Sequence, residues 1–182
     1  MNELSYFAFA GERRIATGNL RTVLTDLYRF MHRDDSNDRP NVLVFRADTG
    51  RQVDFDLTGT LDQVLSRALP EEPKKGPGRP RIGVHCGEVC LLPRHWEWLD
   101  RQPKKASGTL RRLVEQAMKN MTPEERARER AEAVHTFMWA VAGDQPGFEE
   151  ASRALYGGKR EVFDALIAPW PEDIVAQIKQ LL

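Results

Sequence analysis

The chain has 182 residues, 41% of them hydrophobic and 30% charged, enough for one ordinary domain or two small ones with a real core. No apolar run approaches the ~18–20 residues that span a bilayer, and the start, Met1-Asn2-Glu3-Leu4-Ser5-Tyr6, lacks the basic and apolar stretches of a signal peptide. Cys86 and Cys90 are the only cysteines, too few for a disulfide framework, so a cytoplasmic protein is expected.

Lys+Arg and Asp+Glu balance at 27 each, but they are not evenly spread. Residues 1–72 carry 9 basic against 12 acidic side chains, a net of −3. Residues 73–120 carry 11 against 4, a net of +7, and residues 121–182 carry 7 against 11, a net of −4. A basic centre between acidic flanks is an electrostatic footprint that whole-chain charge conceals, although a solvated basic surface would give the same count.

Along the chain, Ser5 to Phe9 and Arg14 to Thr17 are strand candidates separated by Ala10-Gly11-Glu12. Asn19 can cap a helix with Leu20, Val23, Leu24, Leu27 and Phe30 on one face. Val42-Leu43-Val44-Phe45 has the pattern of a buried strand. After the turn Asp48-Thr49-Gly50, the alternating Val53, Phe55 and Leu57 suit a hairpin partner. Thr60 starts a second helix with Leu61, Val64, Leu65 and Leu69. The resulting ββαββα order over residues 1–69 predicts a small N-terminal α+β domain whose sheet is covered by helices on one face.

Residues 70–83 contain four prolines and three glycines, which exclude helix and interior strand. This basic linker includes Lys74, Lys75, Gly78, Arg79, Pro80 and Arg81. Gly78-Arg79-Pro80 with its basic neighbours resembles the AT-hook. The resemblance implies an arm whose glycine lets the backbone come close, whose proline keeps it extended, and whose arginines enter a narrow A·T-rich minor groove.

Residues 84–120 follow as a short strand, Val89 to Leu92, a helix opened by Pro93, and a helix capped by Ser107 that carries Leu110, Leu113, Val114, Ala117 and Met118. This order resembles the ribbon-helix-helix fold, in which two chains pair their strands and the second helix points its N-terminus at phosphate. The resemblance implies a homodimer, with the strand and the Ser107–Asn120 helix as its core. Lys104, Lys105, Ser107 and Thr109 match the phosphate-binding turn, and Arg94, Arg111 and Arg112 extend the basic surface. The strand departs from the pattern: its groove-facing positions would be the apolar Val89 and Leu91, so recognition through shape and phosphate is expected rather than base reading.

Residues 121–182 form a C-terminal helical region. Thr122-Pro123-Glu124-Glu125 opens a helix to about Gly143, with Val134, Phe137, Met138 and Val141 as its stripe. Shorter helices are expected at 147–156, 159–168 and 171–182, divided by Gly157-Gly158 and Pro169-Trp170-Pro171.

The segments Gly78-Arg79-Pro80, Leu91-Leu92-Pro93-Arg94-His95-Trp96, Leu110-Arg111-Arg112-Leu113-Val114-Glu115, and Ala142-Gly143-Asp144 with Pro146-Gly147-Phe148-Glu149-Glu150-Ala151 together resemble a bacterial family catalogued as a domain of unknown function, family 2239. That resemblance implies one architecture over residues 4–182 and no established activity.

Two further chemistries are weighed against the residues. His85, Cys86, Cys90 and His95 lie close in sequence, but they do not repeat a paired Cys-x-x-Cys spacing, so neither metal nor cofactor is expected. Phosphate-binding loops, nucleophile elbows and zinc-protease motifs are absent, and the acid pairs Asp34-Asp35, Glu71-Glu72 and Glu149-Glu150 suit solvated surface. The expectation is a dimeric, cytoplasmic DNA-binding protein, a transcriptional regulator or nucleoid-associated factor, and not an enzyme. The rivals are a protein–protein adaptor with a solvated linker and an enzyme whose site is assembled from distant residues.

Overall fold

The computed structural model describes residues 4–33, 41–69 and 87–182. Its elements are β1 (Ser5–Ala10), β2 (Arg13–Asn19), α1 (Leu20–Met31), β3 (Val42–Arg46), β4 (Gln52–Val53), α2 (Leu61–Ala68), α3 (Pro93–Asp100), α4 (Lys105–Lys119), α5 (Pro123–Ala142), α6 (Phe148–Tyr156), α7 (Arg160–Ile167) and α8 (Glu172–Leu181). The ββαββα order of the first part is as the sequence predicts. The chain divides into two units: residues 1–72 with 124–182, and residues 73–123.

In the first unit the four strands form an antiparallel sheet in the order β2-β1-β3-β4. Side chains alternate across a strand, so β1 and β3 each present two faces. One face of β1 carries Phe7 and Phe9, and Phe7 pairs with Phe45 of β3. The other carries Ala8, paired with Ala16 of β2 and Val44 of β3. Both sets are buried, which only two covering layers can achieve.

On the alanine face, Val23 and Leu27 of α1 complete a cluster with Ala8, Ala16 and Val44. Asn19 caps α1 by accepting from the Thr22 N–H at 2.9 Å, and Thr60 and Gln63 form a capping box on α2. On the phenylalanine face lie α5 to α8. Phe137 of α5 meets Phe7 and Phe9 at 5.2 Å and Phe45 at 5.3 Å between ring centroids, edge-on or tilted in each case. The same cluster continues through Met138, Phe163, Ile167, Ile174 and Ile178.

The sheet is therefore covered on both faces, not on one. The region at the C-terminus supplies the second layer, so it shares a core with the N-terminal strands. The short segment Pro169-Trp170-Pro171, which looks like punctuation in the sequence, puts Trp170 into that core with its indole N–H donating to the Pro146 carbonyl at 2.9 Å. At the edge strand β2, the Arg14 backbone N–H donates to Asp173 Oδ2 at 2.9 Å, and its guanidinium reaches Gln177 and Gln180 of α8.

β4 is shorter than expected. It stops at Val53, while Phe55 and Leu57 leave the ladder and pack at the margin of the alanine-face cluster. Beyond it, the Thr58 N–H donates to Asp56 Oδ1, and Arg67 of α2 binds the carbonyls of Asp56 and Thr58. These side-chain bonds replace the sheet ladder as partners for the backbone.

The turn into β4 is held at both ends. Arg46 and Asp48 form a two-point ion pair at 3.1 and 2.5 Å. Burial pushes the Asp48 carboxyl up, but the Arg46 hydrogen bond and charge, with help from Thr49, hold it below the usual carboxylate range. Gly50 follows with φ +63°, and a Cβ there would lie 1.9 Å from the Ala133 carbonyl oxygen of α5.

Three outcomes are expected. Gly50→Ala meets both a left-handed backbone and the α5 backbone, and should lower unfolding free energy by about 3 kcal/mol or more in urea titration. Phe137→Ala should cost about 3–5 kcal/mol by the same measurement. Because the Asp48 carboxyl is depressed in the fold, its stabilisation is present above the unfolded carboxylate pKa and lost as pH falls through the folded one. Asp48→Asn should therefore lose less melting temperature than the native protein on acidification through the carboxylate range.

Candidate nucleic-acid interface

The second unit is described over residues 87–123. Pro93 at the first helical position opens α3, and two successive tight turns, Gln102 N–H to Leu99 O and Lys105 N–H to Gln102 O at 3.0 Å each, reverse the chain. The helix α4 then packs back on α3. Two expectations need correction here. Residues 87–92 form no strand, and Val89 and Leu92 are exposed; a strand needs a ladder partner, and the described residues of this chain supply none. Ser107 is not the helix cap: the tight turns start α4 two residues earlier, at Lys105, whose φ of +50° makes the sharp entry.

The candidate residues fall into three groups. Lys74, Lys75, Gly78, Arg79, Pro80 and Arg81 of the basic arm lie outside the described residues, as do His85 and Cys86. Arg94, Lys104, Lys105, Ser107, Arg111 and Arg112 are all exposed. Thr109 is 2% exposed, so its side chain is buried rather than at the surface where a phosphate would sit.

The exposed cations are ordered by helix geometry. Lys105, Arg112 and Lys119 are seven residues apart, which puts them on one side of α4 with a rise of about 10.5 Å between neighbours. The apolar Leu110, Val114 and Ala117 lie on the opposite side, and Leu113 stands on the flank between. Arg112 makes a long 3.4 Å bond to Gln116, and Arg94 one of 3.4 Å to the His95 ring, so neither guanidinium is held in an ion pair among the described residues. Arg111 stands on the flank of the apolar stripe and does not join the cationic line.

Lys119 and the exposed Arg101 at the end of α3 are the basic residues that the sequence reading left out. Seven-residue spacing from Lys105 marks Lys119, and adjacency to the Lys104-Lys105 turn marks Arg101.

The α4 N-terminus differs electrically from five of the other helix starts, although α1 and α3 share its lack of a first-turn acid. It has no side-chain cap and no acid in its first turn, and Lys104 and Lys105 sit there instead. By contrast α2, α5, α6, α7 and α8 each carry acidic residues in the first turn. Lysine at a helix N-terminus faces the positive end of the helix dipole, an arrangement that an anion relieves.

Among the described residues, no group of three His, Cys, Asp or Glu side chains could hold a metal ion, and Cys90 is exposed. No helix among them is long and apolar enough to cross a membrane.

No curated protein and no solved structure matches the chain. A family model does match, over residues 5–182; its description is "Uncharacterized protein conserved in bacteria (DUF2239)". That match covers the sheet, the helices on both its faces and the α3–α4 hairpin alike, and the chain belongs to this bacterial family.

Proposed function

We propose that the protein binds double-stranded DNA through its second unit, the basic arm included, as a homodimeric regulator or nucleoid factor in the cytoplasm rather than as an enzyme. The observation that carries this reading is the start of α4, uncapped, free of acid and flanked by Lys104 and Lys105. Its first-turn N–H groups and two lysines form a receptor for phosphate. Ser107 adds a hydroxyl in the first turn, and the line Lys105, Arg112 and Lys119 continues the positive surface along the helix. Arg94 and Arg111 belong to the same basic unit.

In this reading Lys74, Lys75, Gly78, Arg79, Pro80 and Arg81 act as the AT-hook-like arm in the minor groove of A·T-rich duplex. In a ribbon-helix-helix dimer, Val89–Leu92 would gain its missing ladder from a second copy. Thr109 is left to packing. Affinity then comes from phosphate and groove shape, and should depend steeply on salt.

A second reading, that of an adaptor, is favoured by a different surface. Trp139 and Tyr156 are 66% and 54% exposed on α5 and α6, with the His135 ring 6.3 and 5.3 Å from them. Exposed aromatic side chains of this kind are common anchors at protein interfaces.

Gel shift and fluorescence anisotropy on A·T-rich and random duplexes test the DNA reading. Affinity should fall about 10³-fold or more between 50 and 200 mM salt if six or more phosphates are held. Lys104→Ala with Lys105→Ala should weaken all duplexes alike and reduce the salt slope by about 2. Arg79→Ala with Arg81→Ala should remove the preference for A·T-rich sequence. No duplex binding at low salt overturns the DNA reading. Capture of a protein partner that is lost in Trp139→Ala with Tyr156→Ala would then select the adaptor.

A further inference from the structure

A cavity of about 330 Å³ opens on the first unit, lined by Arg13 and Ile15 of β2 and by Asp26, Arg29, Phe30 and Arg33. That volume lies at the small end of the range for small-molecule sites. Three arginines reach it by two routes. Arg29 stands in the last turn of α1, and Arg33 follows just beyond the His32 cap. Arg13 arrives through an irregularity in the sheet. The β1–β2 register steps from Ala8 opposite Ala16 to Phe9 opposite Arg14, so Ile15 is the extra residue of a bulge. Paired residues share a face, so the bulge turns Arg14 to the phenylalanine face, where its guanidinium bonds Gln177 and Gln180 of α8. It leaves Arg13, opposite Ala10, on the face that α1 covers. Without the bulge the two arginines would exchange sides.

The charges in this cavity do not balance. Asp26 is the single acid among its described lining residues, and it holds Arg29 only at 3.7 Å. The side chains of Arg13 and Arg33 have no ion pair and no hydrogen bond among the described residues. Arg13 lies instead over the Phe30 ring, 5.8 Å from its centroid. Stacking occupies a face of the guanidinium and leaves its N–H edge able to donate. The helix dipole accounts for a cation at the end of α1, and the ring accounts for Arg13. Neither accounts for three like charges gathered around one cavity, which repel one another. An anion removes that repulsion, and guanidinium forks match the oxygens of a phosphoryl group.

We infer that this cavity binds a small molecule through a phosphoryl group, with Arg13, Arg29 and Arg33 as the donors and Phe30 holding Arg13 in position. Only residues of the first unit take part, so the site stands independently of the DNA reading.

The test is calorimetric titration of the full chain with pyrophosphate. The native protein should bind it with a Kd below about 1 mM, and excess pyrophosphate should raise the melting temperature. Arg13→Ala with Arg33→Ala should weaken binding about tenfold or more. Both side chains are exposed, so the melting temperature without ligand should stay as in the native protein. Arg13→Lys keeps the charge but loses the fork, and should also weaken binding. Arg21→Ala, about two turns earlier on α1 and outside the cavity, should bind like the native protein.

No binding by the native protein, as neutralisation by the neighbouring Asp34 and Asp35 would give, overturns the inference. So does an equal loss in Arg21→Ala or full affinity in Arg13→Lys, since either shows diffuse charge rather than recognition by this cavity. Gel shift on the double variant separates the sources of phosphate. Retained duplex affinity supports the small-molecule site. Duplex affinity that falls together with pyrophosphate affinity assigns these arginines to the DNA backbone and overturns it.

Discussion

The aromatic contact between Phe137 and the face formed by Phe7, Phe9 and Phe45 is the constraint around which the first unit is organised. It joins residues from the two ends of the chain, and the rest of the packing follows from it. Once α5 is seated on the sheet, Gly50 must pass the α5 backbone at Ala133 with no room for a side chain. The helices α6 to α8 complete the same core with Phe163, Ile167, Ile174 and Ile178. On the opposite face, alanines at positions 8 and 16 let α1 come close enough to bury Val23 and Leu27.

The second unit obeys a different balance. Its α4 helix is amphipathic, yet most of its apolar stripe is exposed, and its N-terminus carries lysines where the helix dipole favours an acid. Under the proposed function, the lysines at the N-terminus are a local cost that a bound polyanion would offset. The cationic line and most of the apolar stripe lie on opposite sides of one helix. That separation follows from helical periodicity, which places Lys105, Arg112 and Lys119 opposite Val114 and Ala117.

Much of the local structure was legible in the sequence. Asn19 and Thr60 announce their helices because a side-chain acceptor at that position satisfies otherwise unpaired N–H groups, and Thr122-Pro123-Glu124-Glu125 marks the start of α5 in the same way. The apolar periodicity of α1 and α5 gave their buried faces. What misled was material whose partner lies elsewhere. Val89-Cys90-Leu91-Leu92 has strand composition but no ladder in the chain as described, and Phe55 and Leu57 alternate like a strand yet turn aside to pack. Ser107 has the chemistry of a cap, but the tight turns before it begin the helix two residues sooner. The candidate site was legible as a concentration of charge, while its division into a helix N-terminus, a cationic line and the inward Thr109 was not.

By itself, then, the sequence determined the order of elements, most helix starts and the placing of positive charge in the middle of the chain, because these depend on near neighbours and on composition. Only the tertiary structure decided that the sheet is covered on both faces and that the last four helices share its core. It alone decided which apolar stripe is satisfied within the chain and which is left exposed. Those outcomes depend on contacts such as Phe7 with Phe137 or Arg14 with Asp173, between residues more than a hundred positions apart. Local propensity carries no information about such pairs, and the packing that forms them selects among elements that the sequence leaves equally apolar.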